Sequence, residues 1–147
     1  MSSFWDRLYQ TDNSFFGEEP CNFALSSYND YMEKNSLKKI LELGCGQGRD
    51  TLFFASKGID VTALDYSNIA IEGLLKHASI FDPRNKPIPF NNNEFDAVYS
   101  HMFFNMHFRL KQMKFVFQEI RRVLKHNGFN FFSVRNHNDK SFGKGKK

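Results

Sequence analysis

The residues of this 147-residue chain that can do chemistry together lie between Leu41 and Tyr66. Leu41-Glu-Leu-Gly-Cys-Gly-Gln-Gly-Arg-Asp-Thr51 runs an apolar stretch into Gly44, Gly46 and Gly48, and then into a helical pattern. Glycines so spaced allow positive φ in a tight turn and let a ligand lie against bare backbone, beside unpaired N–H groups at the start of a helix. A dinucleotide site wants its third glycine one residue later, and a phosphate P-loop ends in Gly-Lys-Ser/Thr. Neither pattern is present. Glu42 adds a carboxylate beside the loop, which suits an ammonium group far better than a pyrophosphate. Asp65, 21 residues beyond Gly44, puts a second carboxylate at the neighbouring strand tip, where it can accept both hydroxyls of a ribose. Tyr66 can lie against a flat base. Loop, glutamate and ribose acid together describe a nucleoside carrying an amino acid in place of a phosphate.

A second group of candidates follows the apolar stretch Phe95–Ser100. His101 and His107 flank the position where a reacting atom would sit, and either can act as a general base; the alternative is a packing or surface histidine. Met102, Phe103, Phe104, Met106 and Phe108 read as pocket wall and core. Arg49 either reaches a ligand carboxylate or faces solvent. Asp50 opens a helix, where the dipole alone favours it, and no catalytic role is assigned to it. Small size accounts for Cys45 inside the loop better than reactivity does. Trp5 and Tyr9 belong to an aromatic N-terminal segment that acts either as a lid or as a simply buried helix.

The elements that must position these residues alternate. Strands are predicted at Lys39–Leu43, Val61–Leu64, Phe95–Ser100 and Phe129–Val134, each bounded by Gly, Asn or Asp. Helices are predicted at Asn22–Lys34, Arg49–Ser56, Asn68–Leu75 and Leu110–Leu124. The last carries Leu110, Met113, Phe117, Ile120 and Leu124 on one face, and Gly128 is its expected terminator. Ser67 and Asn68 can cap the third. The alternation predicts an α/β fold with a mostly parallel sheet.

Composition narrows the function. Apolar residues at 41% and charged residues at 24% permit a packed core. No apolar run reaches the roughly 18 residues needed to span a bilayer, and the start lacks a secretory pattern, so no membrane partner is expected. Cys21 and Cys45 make neither a disulfide framework nor a metal-ligand spacing, so no metal is expected and a reducing cytoplasm is the default. The net charge of +4 lies in residues 135–147, which hold five Lys/Arg against one Asp, leaving the body balanced at 15 to 15. That weighs against a nucleic-acid partner; a phosphate-binding arm would show as salt-sensitive binding lost with the tail.

Glu42-Leu-Gly-Cys-Gly-Gln-Gly-Arg49 with Val61-Thr-Ala-Leu-Asp-Tyr-Ser67 resembles the first two motifs of class I S-adenosylmethionine-dependent methyltransferases. The likeness continues through Pro87-Ile-Pro-Phe90, Glu94–His101 and Phe117–Gly128, and covers about residues 37 to 137. The small-molecule branch with thiopurine- and tellurite-type enzymes is the nearest in pattern. The resemblance implies a Rossmann-like three-layer sandwich, S-adenosylmethionine as cofactor with S-adenosylhomocysteine as product, and methyl transfer to a small-molecule acceptor. It implies cofactor contacts from Glu42, Gly44, Cys45, Gly46, Gly48, Arg49, Asp65 and Tyr66, with Asp82 at the adenine amino group and Ser100 near the sulfonium. His101 is the tentative catalytic base. The organisation implied is an N-terminal helical lid segment over 1–36, a methyltransferase core over 37–137 and a basic flexible tail over 138–147.

Departures from the family pattern carry their own expectations. Only fourteen residues, Asn68 to Phe81, hold a helix and a third strand, close to the minimum for a crossover of about 10–12. Pro83 after Asp82 has no N–H to give an adenine ring. Residues 135–147 are too few for the family's usual last two strands, so the sheet is expected to lack them. The fifth strand would then be a bare edge covered by a second copy or a partner chain. An inactive cofactor-binding module, or one subunit of a heteromeric methyltransferase, is the alternative function. A nicotinamide dehydrogenase rests only on the strand-glycine-helix likeness. Within the resemblance, the absence of an Asn/Asp-Pro-Pro-aromatic tetrad in Ser100-His-Met-Phe-Phe-Asn105, and of a Cys nucleophile after a Pro, weighs against exocyclic nucleobase nitrogens, the glutamine amide and pyrimidine carbons as acceptors.

Overall fold

The computed structural model describes residues 4–106 and 108–140. Glycine punctuation sets the element ends around the loop. β1 (Lys39–Leu43) stops at Gly44, and α3 (Arg49–Ser56) starts after Gly48, whose φ of 86° only glycine adopts without strain. Before them lie α1 (Phe4–Thr11) and α2 (Asn22–Ser27). β2 (Asp60–Asp65) leads into α4 (Asn68–Ile71), capped by the Ser67 hydroxyl on the Ala70 N–H and extended by a tighter turn at Glu72–Leu74. β3 (Ala78–Ile80), β4 (Phe95–His101), a short turn at Phe103–Asn105, α5 (Leu110–Val123) and β5 (Leu124–Ser133) complete the order.

The strands form one sheet in the order β3-β2-β1-β4-β5, with every pairing parallel. The sheet expected to be mostly parallel is entirely so among the described residues. Chain progress reverses between β1 and β4, and in open parallel sheets a ligand crevice forms at that point, beyond the strand C-termini. Alternation along β1 sends Leu41 and Leu43 to the face covered by Val116, Ile120 and Val123 of α5. Ile40 joins Phe54 of α3 and Ala24 of α2 on the other face. A third cluster, Tyr9 with Cys45, Ala70, Ile71 and Leu74, packs α1 and α4 around the glycine loop.

The largest differences from the expected boundaries lie in α2 and at the junction of α5 with β5. The helix expected over Asn22–Lys34 ends at Ser27 and opens into a wider turn over Tyr28–Met32, which still buries Met32. The helix expected over Leu110–Leu124 ends one residue earlier, at Val123, and the strand expected from Phe129 already begins at Leu124, which is extended and pairs with Phe95. The next registered pair is Ala97 with Phe129, so residues 125–128 bulge out of the ladder. Asn127 takes the left-handed conformation there at φ 62°. Gly128 serves by size instead: a Cβ on it would lie 3.0 Å from the Asp96 carbonyl oxygen.

Candidate functional site

The glycine loop turns back on the tip of β2. Gly44 N–H donates to the Leu64 carbonyl (2.7 Å), Gly46 N–H to Asp65 Oδ2 (2.8 Å) and Gly48 N–H to the Cys45 carbonyl (3.0 Å). All three glycine amides are therefore engaged inside the protein and present no cradle for a pyrophosphate. Asp65 takes a second bond at Oδ1 from Ser67 N–H (2.8 Å). Burial raises its carboxyl, and the Ser67 and Gly46 hydrogen bonds offset part of that rise.

Glu42 shares the Ile40 face of β1 and points under α3, where the Thr51 hydroxyl donates to Oε2 at 2.5 Å. It is 3% exposed. Burial pushes its carboxyl up to about 8; the Thr51 bond pulls it down, and Asp50 and Asp65 push it up further. Asp50 is the hub of the next layer. Its carboxylate accepts from Cys21 N–H (2.9 Å), Cys21 Sγ–H (3.1 Å) and the Tyr99 hydroxyl (2.8 Å), which ties α3 to the start of α2 and to β4. Burial raises the Cys21 and Tyr99 groups, so both remain protonated donors.

A cavity of about 780 Å³ opens over these residues. Glu42, Gly44, Cys45, Gly46, Gly48, Arg49, Asp65, Tyr66 and Asp82 all line it, as do Trp5, Tyr9 and His101. Ser100 does not. It is fully buried below the wall, its Oγ without a partner, because β4 runs one residue further and His101 occupies the tip. His107 lies outside the described residues, as does the tail from residue 141 onward.

At the far side of the cavity, Asp82 is clamped by Arg84. Nε donates to Oδ1 at 2.8 Å and Nη2 to Oδ2 at 2.6 Å. Burial alone would raise the Asp82 carboxyl, but the Arg84 bonds and charge outweigh it and hold it low. The Arg84 guanidinium also sits 5.5 Å from the centre of the Tyr66 ring. Pro83 lines the wall without an N–H, and Arg84 N–H turns back to Asp82 Oδ1 at 3.1 Å.

His101 stands opposite the loop. Its Nδ1 lies 2.7 Å from Ser133 Oγ at the end of β5, and its ring stacks on Phe23 at 5.9 Å. Burial lowers its basicity; Asp50 raises it and Arg49 lowers it, with a net fall that keeps the ring neutral near pH 7.

Several lining residues carry no sequence signal of their own. Gln47 Oε1 accepts Phe15 N–H (2.9 Å) and its Nε2 donates to the Asp12 carbonyl (2.8 Å). Arg49 Nη1 donates to the Phe16 carbonyl (2.7 Å). Together they strap residues 12–16 across the cavity, so in this structure Arg49 is spent on the strap. Trp5 stacks on Tyr9 at 5.7 Å beneath it. Cys45 is buried and its thiol raised by that burial, in keeping with a packing role. Met102, Phe103, Met106 and Phe108 form the wall beyond β4. Among the described residues no helix is long and apolar enough to cross a membrane, and no cluster of three His, Cys, Asp or Glu could hold a metal.

The donor set fits the nucleoside amino acid that the loop suggested. Glu42 and Asp65 supply carboxyls on the cavity wall beside the glycine loop, which suits an ammonium and a ribose diol.

Comparison with known proteins agrees. The family described as a methyltransferase domain matches residues 40–128. A 55-residue stretch is 49% identical to the mitochondrial ubiquinone biosynthesis O-methyltransferase of Schizosaccharomyces pombe, covering 36% of this chain and 20% of that one. Crystal structures of TehB from Haemophilus influenzae and of an S-adenosylmethionine-dependent methyltransferase from Methanosarcina mazei superpose on it. Their TM-scores are 0.61 and 0.65, at 25% and 23% identity, covering 70% and 78% of this chain. The chain spans 38% and 62% of those two proteins. With the match running from β1 into β5 and the sheet order in place, the chain belongs to the methyltransferase domain family, in the class I S-adenosylmethionine-dependent group.

Proposed function

We propose that this chain binds S-adenosylmethionine and transfers its methyl group to a small-molecule acceptor. The observation that carries the reading is the single cavity joining the Glu42–Asp65 carboxyl pair and glycine loop to His101 and an aromatic-thioether wall. The cofactor supplies a carbon already activated by a sulfonium. The chain supplies alignment and the exclusion of water.

Asp65 would hold the ribose hydroxyls with the lone pairs that Gly46 and Ser67 leave open. Glu42 would face the ammonium, and Gly44 and Gly46 would lie against the methionine portion. Tyr66 and Arg84 would flank the base, with Asp82 accepting from its amino group. Trp5 and Tyr9 form the lid in this reading, over the segment of residues 1–36. His101, neutral and facing the cavity, takes a proton from a hydroxyl or amine acceptor. A cytoplasmic location fits the two free thiols.

Calorimetry with S-adenosylmethionine and S-adenosylhomocysteine tests binding. Turnover on thiols, phenols and metalloid oxyanions then tests transfer; phenols enter because one relative is an O-methyltransferase. Absence of affinity for both nucleosides sinks the reading.

A second reading is favoured by one observation. β5 ends the sheet, with no strand of this chain on its outer side among the described residues, and Phe132 on it is 44% exposed. A cofactor-binding subunit that pairs through this edge, with a second copy or another chain, fits that feature. Tight cofactor binding without turnover, together with recovery of activity on mixing with a partner, supports it. A stable monomer by sedimentation at high micromolar concentration excludes pairing with a second copy, and no gain of activity with a partner chain excludes the rest.

A further inference from the structure

We propose that Ser133 is a positioning residue that fixes the His101 ring and retains its proton on Nδ1, so that the Nε2 lone pair faces the cavity as the base. The inference rests on the methyl-transfer reading above. It starts from the lone pairs of one hydroxyl. Ser133 Oγ accepts the Met102 N–H at 3.0 Å and lies 2.7 Å from His101 Nδ1. The Met102 N–H is also within reach of the Ser133 carbonyl at 3.2 Å. These bonds pin the end of β5 to the residue after β4, where Met102 takes a left-handed φ of 59°. With one Oγ lone pair given to Met102, the second is free to accept Nδ1–H, and the half-buried side chain leaves room for the hydroxyl proton to turn to solvent, the arrangement the proposal assigns.

That arrangement suits a base. A hydroxyl oxygen accepts Nδ1–H whether the ring is neutral or protonated, so His101 can gain a proton at Nε2 without turning. Phe23 holds the ring plane from one side, stacked at 29°. A carboxylate in the place of Ser133 would raise the basicity of the ring and leave it charged; the hydroxyl orients it and leaves it neutral. The step balances. The proton of the acceptor passes to Nε2 as the acceptor's electron pair bonds to the methyl carbon. The carbon–sulfur pair returns to sulfur, and the positive charge moves from the donor to the imidazole.

The test combines nitrogen-15 NMR of the imidazoles in the full chain with kinetics, using Ser133→Ala and Ser133→Thr, and His101→Gln to assign the resonance. The expected result is Nδ1 protonated and Nε2 bare in the parent and in Ser133→Thr, and a mixture of tautomers in Ser133→Ala. With a hydroxyl or amine acceptor, Ser133→Ala should lower kcat about tenfold to a hundredfold, less than the roughly 10²–10⁴-fold that a general base contributes in full, because the base itself remains. KM for the cofactor should hold and the acid limb of the kcat profile should shift, with Ser133→Thr restoring both. A parent whose His101 proton sits on Nε2 overturns the proposal, as does a Ser133→Ala protein with parental tautomer and pH profile. The NMR readout needs no turnover. Failure to bind the cofactor therefore counts against the function alone, and a wrong tautomer in an active enzyme counts against Ser133 alone.

Discussion

Gly46 N–H donates to Asp65 Oδ2 across 2.8 Å, and this bond joins the glycine loop to the strand tip that carries the expected sugar-binding acid. The carboxylate shapes the loop, and in the proposed reading it also meets the ligand. That reading couples loop geometry to ligand binding through one side chain.

Asp65→Ala separates those tasks by magnitude. Loss of the hydrogen bonds from a charged acceptor should weaken cofactor binding by about 1–3 kcal/mol, roughly 5- to 150-fold in Kd. The same change strands the buried Gly46 and Ser67 donors, at a further cost in stability of about 1–3 kcal/mol for each. Calorimetric titration below the melting temperature of the variant, paired with a thermal melt, reads both. A variant that melts early but binds like the parent removes the sugar assignment and leaves the loop-shaping role.

Gly46→Val should abolish binding while leaving the sheet folded. A Cβ there would sit 2.9 Å from the Tyr9 hydroxyl, in a backbone with φ 53°. A left-handed non-glycine residue costs about 1–2 kcal/mol, and the displaced Tyr9 opens the wall of the cavity. Circular dichroism should show retained strand and helix signal; titration should show no heat of binding.

The elements were legible where punctuation is local. β1 and α3 fall at the expected residues because Gly44 and Gly48 end one and start the other. The loop carboxyls were legible because their spacing follows from the strand pair Leu43–Leu64. The start of β5 was not, since Lys125 to Gly128 have the identity of a helix stop while Leu124 has already joined the sheet. Ser100 was placed one residue too near the site, because nothing in the sequence marks whether β4 stops at residue 100 or 101. The bonds of Gln47 to Asp12 and Phe15, the Arg84 clamp on Asp82 and the Ser133–His101 contact have no periodic signature, for each depends on how separate elements approach.

Glu42 should make both stability and binding depend on pH. Its folded carboxyl titrates near 8, above the ordinary value of 4.5. Between those values the folded chain holds a proton that the unfolded chain has lost, so stability falls as pH rises. The contribution is complete below the ordinary value and is lost by the time pH has passed through about 8. Binding runs the other way. An incoming ammonium favours the carboxylate, so cofactor affinity should climb from pH 6 towards 8 with release of up to one proton. Glu42→Gln should melt with less dependence on pH over that range and should bind without releasing the proton. Titration in buffers of different ionisation enthalpy measures the release; equal release by parent and variant would move the effect to another group.

Gln47→Ala should free the strap without unfolding the core. Its two bonds, to Phe15 N–H and the Asp12 carbonyl, are exposed and neutral, so together they are worth about 1–2 kcal/mol of local stability. Local opening follows the local free energy, and amide exchange over residues 12–17 should therefore speed up about 5- to 30-fold, with exchange in β1 and β4 unchanged. The strap also holds Arg49 through the Phe16 carbonyl. Once it loosens, Arg49 becomes available to a ligand carboxylate, and cofactor release should quicken because the aromatic cover of Phe15 and Phe16 leaves with it. Mass-detected hydrogen exchange reads the first effect and stopped-flow displacement the second. Unchanged exchange would assign the closure to ring packing, Trp5 with Phe16 at 6.2 Å and Tyr9 with Phe16 at 6.5 Å, instead of to Gln47.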